Sequence, residues 1–417
     1  MKARLGLALL VCGISHIVAA QKIAVVADKL YTMGSGPQGQ PGIVLIENGK
    51  VTAVQSGRRN PAGYTVLKAA YATPGLIDAK TTAGISGAYN IPADQDQDEA
   101  TDPNTADVRA LDSFNPREKL LEYINTYGVT TVQAAPGISN PVAGQAGIFK
   151  TVGPKTIGLT ADQLAVRSVS AIVFNLGESP KRAYGKDNKP PTTRMMIAAI
   201  IRKSLVDAQS YQKKWADWNA SEKKEPTKRP AQDLKLEAVS RALRGEIPAI
   251  FNAYRADDID TAIRLAQEFK LKFMLSSVSE GYLEAQVIKQ SGAPALVGPT
   301  LQRLDSLETE NASLENAAIL VQAGVPVALM TGFENYVPKN RVLLFEAAVA
   351  AANGLGFEGA LRACTIESAK ILGIADRVGS LEPGKDADVV LYDADPFEYT
   401  SHVTAVLVNG KVSYQRQ

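Results

Sequence analysis

Two asparagine-glycine pairs, Asn48-Gly49 and Asn409-Gly410, stand near opposite ends of the chain, and each separates two runs of alternating apolar residues: IVLIENGKVTAVQ and AVLVNGKVSY. Both central residues of a two-residue hairpin turn need positive φ, so this pattern predicts a β-hairpin at each place. From Ile23 to about Tyr71, and again from ADVVLYDAD onward, the sequence is strand-like. Two small sheets with unfinished edges are most economically joined into one β-domain, so the long middle of the chain must leave that domain and return to it. The middle has a different rhythm. Short apolar runs at Gly128 to Gly137, Ser170 to Glu178, Ile247 to Tyr254, Leu271 to Ser277, Ala293 to Gly298 and Val325 to Gly332 read as buried strands. Helical periodicity fills Thr193 to Trp218, Asp257 to Phe269, Leu314 to Ala323, Arg341 to Ala351 and Glu358 to Leu372. Strict alternation of strand and helix predicts a parallel sheet, and with about eight strands a (β/α)8 TIM-type barrel. The division that follows is a β-sandwich domain built from residues 21–71 and 373–417, with the barrel at 72–372 between them.

Lys2 and Arg4 precede an apolar run from Leu5 to about Val18, and Val18-Ala19-Ala20 offers a cleavage site before Gln21, which reads as a signal peptide over 1–20 and an exported, periplasmic or secreted protein. The residue pattern before Cys12 lacks the small side chain that lipidation prefers. No later run is long enough to span a membrane. Loss of Lys2 and Arg4 leaves 43 basic against 43 acidic residues, a balance that implies neither a nucleic-acid nor an anionic-membrane partner. It also leaves one cysteine, Cys364, so no internal disulfide, and one histidine, His402, read as a surface residue of the β-domain. Residues 90–118 are acidic and poor in apolar side chains, as a solvated loop over the barrel mouth would be, and 213–233 read as a charged helix end and linker.

The segment PGLIDAKTTAG, Pro74 to Gly84, resembles the PGLID-x-H-x-H stretch of the amidohydrolase superfamily, in which the first barrel strand ends in two metal-binding histidines. NPVAGQAG (Asn140 to Gly147), GESPKRAYG (Gly177 to Gly185), AYRADDIDTAIRLAQEF (Ala253 to Phe269) and EPGKDADVVLYDADPF resemble, in order, motifs of imidazolonepropionase-like members, so the resemblance covers nearly the whole chain after the signal peptide. It implies a barrel hydrolase acting on C–N bonds, in non-peptide or dipeptide substrates, with one or two divalent metals activating water. Carried over position by position, the first-strand histidines fall on Lys80 and Thr82, the fourth-strand ligand on Val173, the fifth-strand histidine on Asn252 with Tyr254 on the same face, the sixth on or near Ser277 and the eighth-strand aspartate on or near Gly332. Each of these positions is substituted, so the expectation is no metal site and no cofactor. Asp78, Glu178, Glu280 and Glu334 are the carboxylates that an oxygen-ligated Mg²⁺ or Ca²⁺ would have to use, against the opposing cation of Lys80.

On a regular strand Asp78, Lys80 and Thr82 share one face and point into the barrel mouth. Lys80 has two readings. In one its ammonium supplies the positive charge that a metal would have supplied, paired with Asp78 or another carboxylate; in the other a desolvated amine serves as a nucleophile or Schiff-base former. Ser276, Ser277 and Ser279 read as polar filling of the pocket, since no histidine base is at hand. The reading that follows is a non-catalytic amidohydrolase-fold pseudoenzyme that binds a small-molecule ligand or a partner, either a second copy of itself or a metal-bearing relative. The alternative is a metal-independent or atypical-metal hydrolase that uses Lys80, with Glu178 or Tyr254.

Overall fold

The computed structural model describes residues 22–89, 91–152, 159–187, 189–221, 226–301, 306–332 and 342–417. The signal peptide over 1–20, Cys12 within it, and Glu334 lie outside the described residues.

The chain opens with strands β1 (Lys22–Tyr31), β2 (Gln38–Glu47), β3 (Lys50–Ser56) and β4 (Thr65–Pro74). β2 and β3 form the first hairpin with Glu47 opposite Lys50, and its turn residues have φ of 53° at Asn48 and 80° at Gly49, as the sequence requires. β4 returns parallel to β1 and passes the chain through Gly75 into the barrel. Gly75 has no room for a side chain, because a Cβ there would stand 2.1 Å from Thr130 Oγ1.

The barrel strands follow: β5 (Leu76–Thr81), β6 (Val129–Ala134), β7 (Val142–Lys150), β8 (Ala165–Asn175), β9 (Ala249–Ala253), β10 (Phe273–Ser277), β11 (Ala295–Val297) and β12 (Val327–Leu329). They form one sheet of eight strands in sequence order. The Gly332 amide donates to the Lys80 carbonyl at 2.9 Å, which brings the end of β12 back to β5 and nearly closes the barrel. The sheet departs from the all-parallel expectation at one strand: β7 runs antiparallel to both β6 and β8. Only residues 135–141 separate β6 from β7, too few for the crossover that a parallel neighbour needs.

Two apolar layers hold the barrel. Ile77, Ala79, Ile148, Val173, Ile250, Met274, Leu296 and Ala328 come from seven of the eight strands, and only the lumen can bring them together. The alternate residues, including Leu76, Phe149, Phe174, Phe251, Leu275 and Leu329, pack against the surrounding helices. Most helices fall close to their expected places, with Arg194–Ala220 at the expected 193–218 and Ala256–Glu268 at the expected 257–269. The expected 358–372 helix is two, Gly356–Ala363 and Ile366–Ile371. The Cys364 carbonyl accepts from the Ile77 amide of β5 at 2.8 Å, so the helix breaks where a barrel strand takes its carbonyl.

Strands β13 (Val389–Tyr392), β14 (Val403–Val408) and β15 (Lys411–Gln415) complete the terminal domain. The sheet order is β15-β14-β13-β4-β1-β2-β3, so strands from both chain ends form one sheet. It curls on itself: Val25, Ile46 and Val51 share a core with Leu391 and Leu407, and the two hairpin turns touch, with Gly410 so close that a Cβ there would stand 2.8 Å from Gly49 Cα. Lys150, buried at the end of β7, ties the domains together through Asp388 at 2.5 Å and Asp386 at 3.2 Å. Asp386 also receives Lys50 at 2.6 Å and Arg377 at 3.0 Å, and against the cost of burial Lys150, Lys50 and Arg377 together hold its carboxyl below the usual range. No helix among the described residues is long and apolar enough to cross a membrane.

Candidate functional site at the barrel mouth

The end of β5 sets the geometry of the site. Asp78 pairs with Val132 and Thr81 with Ala134, so three steps along β5 match two along β6: a one-residue bulge. Val132 and Ala134 face the helices, and Asp78 and Thr81 face the same way. The expectation that Asp78, Lys80 and Thr82 share one face is therefore corrected, because the bulge rephases the strand and turns Lys80 and Thr82 inward while Asp78 stays outward. The Asp78 carboxylate accepts from the Thr331 amide at 3.0 Å and the Thr331 hydroxyl at 2.5 Å. Burial pushes it up to about 7 despite these donors.

Lys80 does not pair with Asp78. Its Nζ donates to Asn252 Oδ1 at 3.2 Å and to Ser276 Oγ at 3.3 Å, crossing from the first barrel strand to the strands that carry the fifth- and sixth-strand positions. Asn252 Oδ1 also accepts from Ser276 Oγ at 3.1 Å and Ser277 Oγ at 2.7 Å. Among the described residues no carboxylate forms an ion pair with Lys80; burial lowers its ammonium to about 8, and Asp98 opposes that shift from a distance. Asp98 belongs to the acidic loop, which is not simply a solvated cover. Its carboxylate accepts from the Ser139 amide at 2.8 Å and lies against Gly137, where a Cβ would meet Oδ2 at 2.5 Å. Burial raises the Asp98 carboxyl, while the Ser139 donors and Lys80 act against that rise.

Lys80, Thr82, Asn252, Tyr254, Ser277 and Gly332 line one cavity together with Thr81, Ala135, Pro136, Gly137, Ile138 and Pro299. Of the residues singled out from sequence, Asp78, Val173, Glu178, Ser276, Ser279 and Glu280 do not line it. Val173 is fully buried in the apolar lumen below. The cavity is narrow, with about 300 Å³ of free space counting the open mouth. Thr82 Oγ1 is spent on Ser86 at 2.8 Å. Ser277 and Val278 close β10 with φ of 72° and 42°, a conformation unfavourable for side-chain-bearing residues, which turns the Ser277 hydroxyl toward Asn252. Tyr254 reaches the same hydroxyl and Asn252, and burial raises its phenol.

A second polar cluster at the rim carries no signal in the sequence. Glu308, from the loop after β11, accepts from the Glu178 amide at 2.6 Å and from Arg194 Nη2 at 2.9 Å, while Arg194 Nε donates to Asp258 at 2.9 Å. Burial, together with the neighbouring Asp258, pushes Glu308 up to about 7. Its Oε2 sits against Gly177, where a Cβ would stand 2.7 Å away.

Among the described residues, the inward-facing donor set of an ammonium, an amide, hydroxyls and a glycine does not fit a divalent metal. Of the carboxylates named for an oxygen-ligated site, Asp78 faces away, Glu178 lies beside Arg182 at 3.7 Å, and Glu280 is taken by the Ala256 amide and by Asn311. No three His, Cys, Asp or Glu side chains among the described residues converge to hold one. His402 is half exposed in the terminal domain and pairs with Asp393 at 2.9 Å.

An amidohydrolase from Thermotoga maritima MSB8 has the same fold with a TM-score of 0.86 and is 33% identical over 94% of this chain and 100% of its own. The amidohydrolase family profile matches residues 324–414. The chain belongs to the amidohydrolase family. It is 25% identical over 399 residues to the amidohydrolase tasK of Hapsidospora irregularis, covering 89% of this chain and 40% of that protein. An imidazolonepropionase of Thermoplasma volcanium matches at 34% identity over 113 residues, 25% of this chain and 27% of the relative. The chain thus spans well under half the length of these curated relatives. A prolidase structure shares the fold at a TM-score of 0.57 with 16% identity.

Proposed function

We propose that this amidohydrolase is a binding or partner subunit that does not carry out metal-assisted hydrolysis. One observation carries the reading: the side chain at the first-strand ligand position, Lys80, donates directly to the side chain at the fifth-strand position, Asn252. A divalent ion between these positions would have to displace that hydrogen bond and stand against an ammonium desolvated by the same walls. The relatives' names supply the chemistry that this chain would have given up, hydrolysis of the ring amide of an imidazolone or of a related C–N bond. Its ligand would be a small molecule entering the narrow mouth, and its partner a second copy or a metal-bearing relative. Export through the signal peptide belongs to the same proposal.

One observation favours a second reading, a metal-independent hydrolase: burial holds the Lys80 ammonium down at about 8, closer to the working range of a base. The experiment that separates the two is an assay of amides, cyclic imides and dipeptides with the purified protein, prepared without chelator and supplied in turn with Zn²⁺, Mn²⁺ and Mg²⁺. The proposal expects no turnover. Metal-dependent turnover would overturn it, and metal-independent turnover abolished by Lys80→Met would replace it with the second reading.

A further inference from the structure

We propose that Lys80 takes a small aldehyde or ketone covalently, as an imine, at the base of the mouth cavity. The inference rests on the reading that Lys80 stands in the place of a metal ligand, and adds the chemical class of the ligand. Two of the three N–H directions on Nζ are taken by Asn252 Oδ1 and Ser276 Oγ. Among the described residues nothing takes the third, and Lys80 lines the cavity into which it opens. The cavity, about 300 Å³ counting its open mouth, has room for a carbonyl compound with short substituents and not for a bulky one. Charge argues the same way. Lys80 is the one charged side chain among the described residues that line the cavity, so a neutral carbonyl enters at less cost than a cation.

The step is balanced within the pocket. The ammonium gives up one proton, and the freed lone pair forms the C–N bond as the carbonyl π pair moves to oxygen. A second proton passes from nitrogen to that oxygen, giving the carbinolamine. The oxygen then takes up a proton equivalent to the first and leaves as water while the nitrogen lone pair closes the C=N bond, so that both hydrogens of the water come from the ammonium.

The test is reductive trapping on the unsubstituted protein at neutral pH, with limiting acetaldehyde and cyanoborohydride and peptide mass mapping over time. The peptide bearing Lys80 is expected to gain an ethyl group at least about tenfold faster than those bearing the exposed Lys203 and Lys213, the margin expected of an amine set up as a nucleophile. Lys80→Arg is expected to remove that label and leave the others unchanged. Labelling of Lys80 at or below the rate of exposed lysines overturns the inference. Its failure is separate from that of the proposed function, which is overturned by metal-dependent turnover whatever the labelling shows.

Discussion

Replacing Lys80 by methionine tests whether a charged amine is buried where the structure places it. Moving the ammonium from the ordinary 10.5 to about 8 costs the folded state about 3 kcal/mol at pH 7, at roughly 1.4 kcal/mol per pKa unit. Methionine has nearly the same length and no charge, so it removes this cost. It also removes two long hydrogen bonds worth about 1 kcal/mol each, while Asn252 Oδ1 keeps its Ser276 and Ser277 donors. The net is a variant more stable than the parent by about 1 kcal/mol at pH 7. The pH dependence is sharper. A lysine depressed in the folded state weighs on stability fully below about 8 and ceases to do so above 10.5, so the variant's stability relative to the parent should fall by about 2–3 kcal/mol between pH 7 and pH 10, turning its advantage into a deficit of about 1–2 kcal/mol. Urea unfolding of both proteins at the two pH values measures this. A difference flat with pH to within about 0.5 kcal/mol would refute the reasoning, because it would mean that folding does not depress this amine.

Lys150→Met strips the buried cation from Asp386 and Asp388; Asp386 keeps Lys50 and Arg377, but Asp388 loses its charged partner, and stability should fall by about 3–5 kcal/mol in thermal or urea unfolding. Adding Asp388→Asn should recover part of that loss, and no recovery would place the cost elsewhere. Gly298→Ala brings a Cβ to 1.9 Å from the Met330 carbonyl oxygen, a backbone contact that cannot swing away, so a loss of at least about 3 kcal/mol or failure to accumulate folded protein is expected; a variant with an unchanged melting temperature would contradict that packing.

The elements that were legible in the sequence are those with a local cause. Asn48-Gly49 and Asn409-Gly410 announce their hairpins because few other residue pairs accept positive φ twice in succession. The buried parallel strands show as apolar runs such as IPAIFNAY, and the helix Ala256–Glu268 shows as a periodic face. β7 was hidden because Pro141, Gly144 and Gly147 dilute its apolar pattern, although every residue of the strand is buried. The site was legible in its membership and not in its pairing. Lys80, Asn252, Tyr254 and Ser277 do meet, but the bulge that turns Asp78 away arises from register with β6, a nonlocal fact that spacing along one strand cannot carry. Asp98 and Glu308 escaped for a related reason. An acid in a polar loop looks solvated until the fold shows that Gly137 and Gly177 leave room for its carboxylate to lie against the barrel.

The central claim is that the mouth of this barrel holds a lysine in place of a water-activating metal. It is tested most directly by bound metal per chain, measured by elemental analysis on chelator-free protein after equilibration with Zn²⁺, Mn²⁺ and Mg²⁺, with amide and imide turnover read on the same samples. Less than about 0.1 equivalent retained at micromolar protein, with no turnover, is the result predicted. Near one equivalent, with turnover that rises and falls with it, would contradict the account.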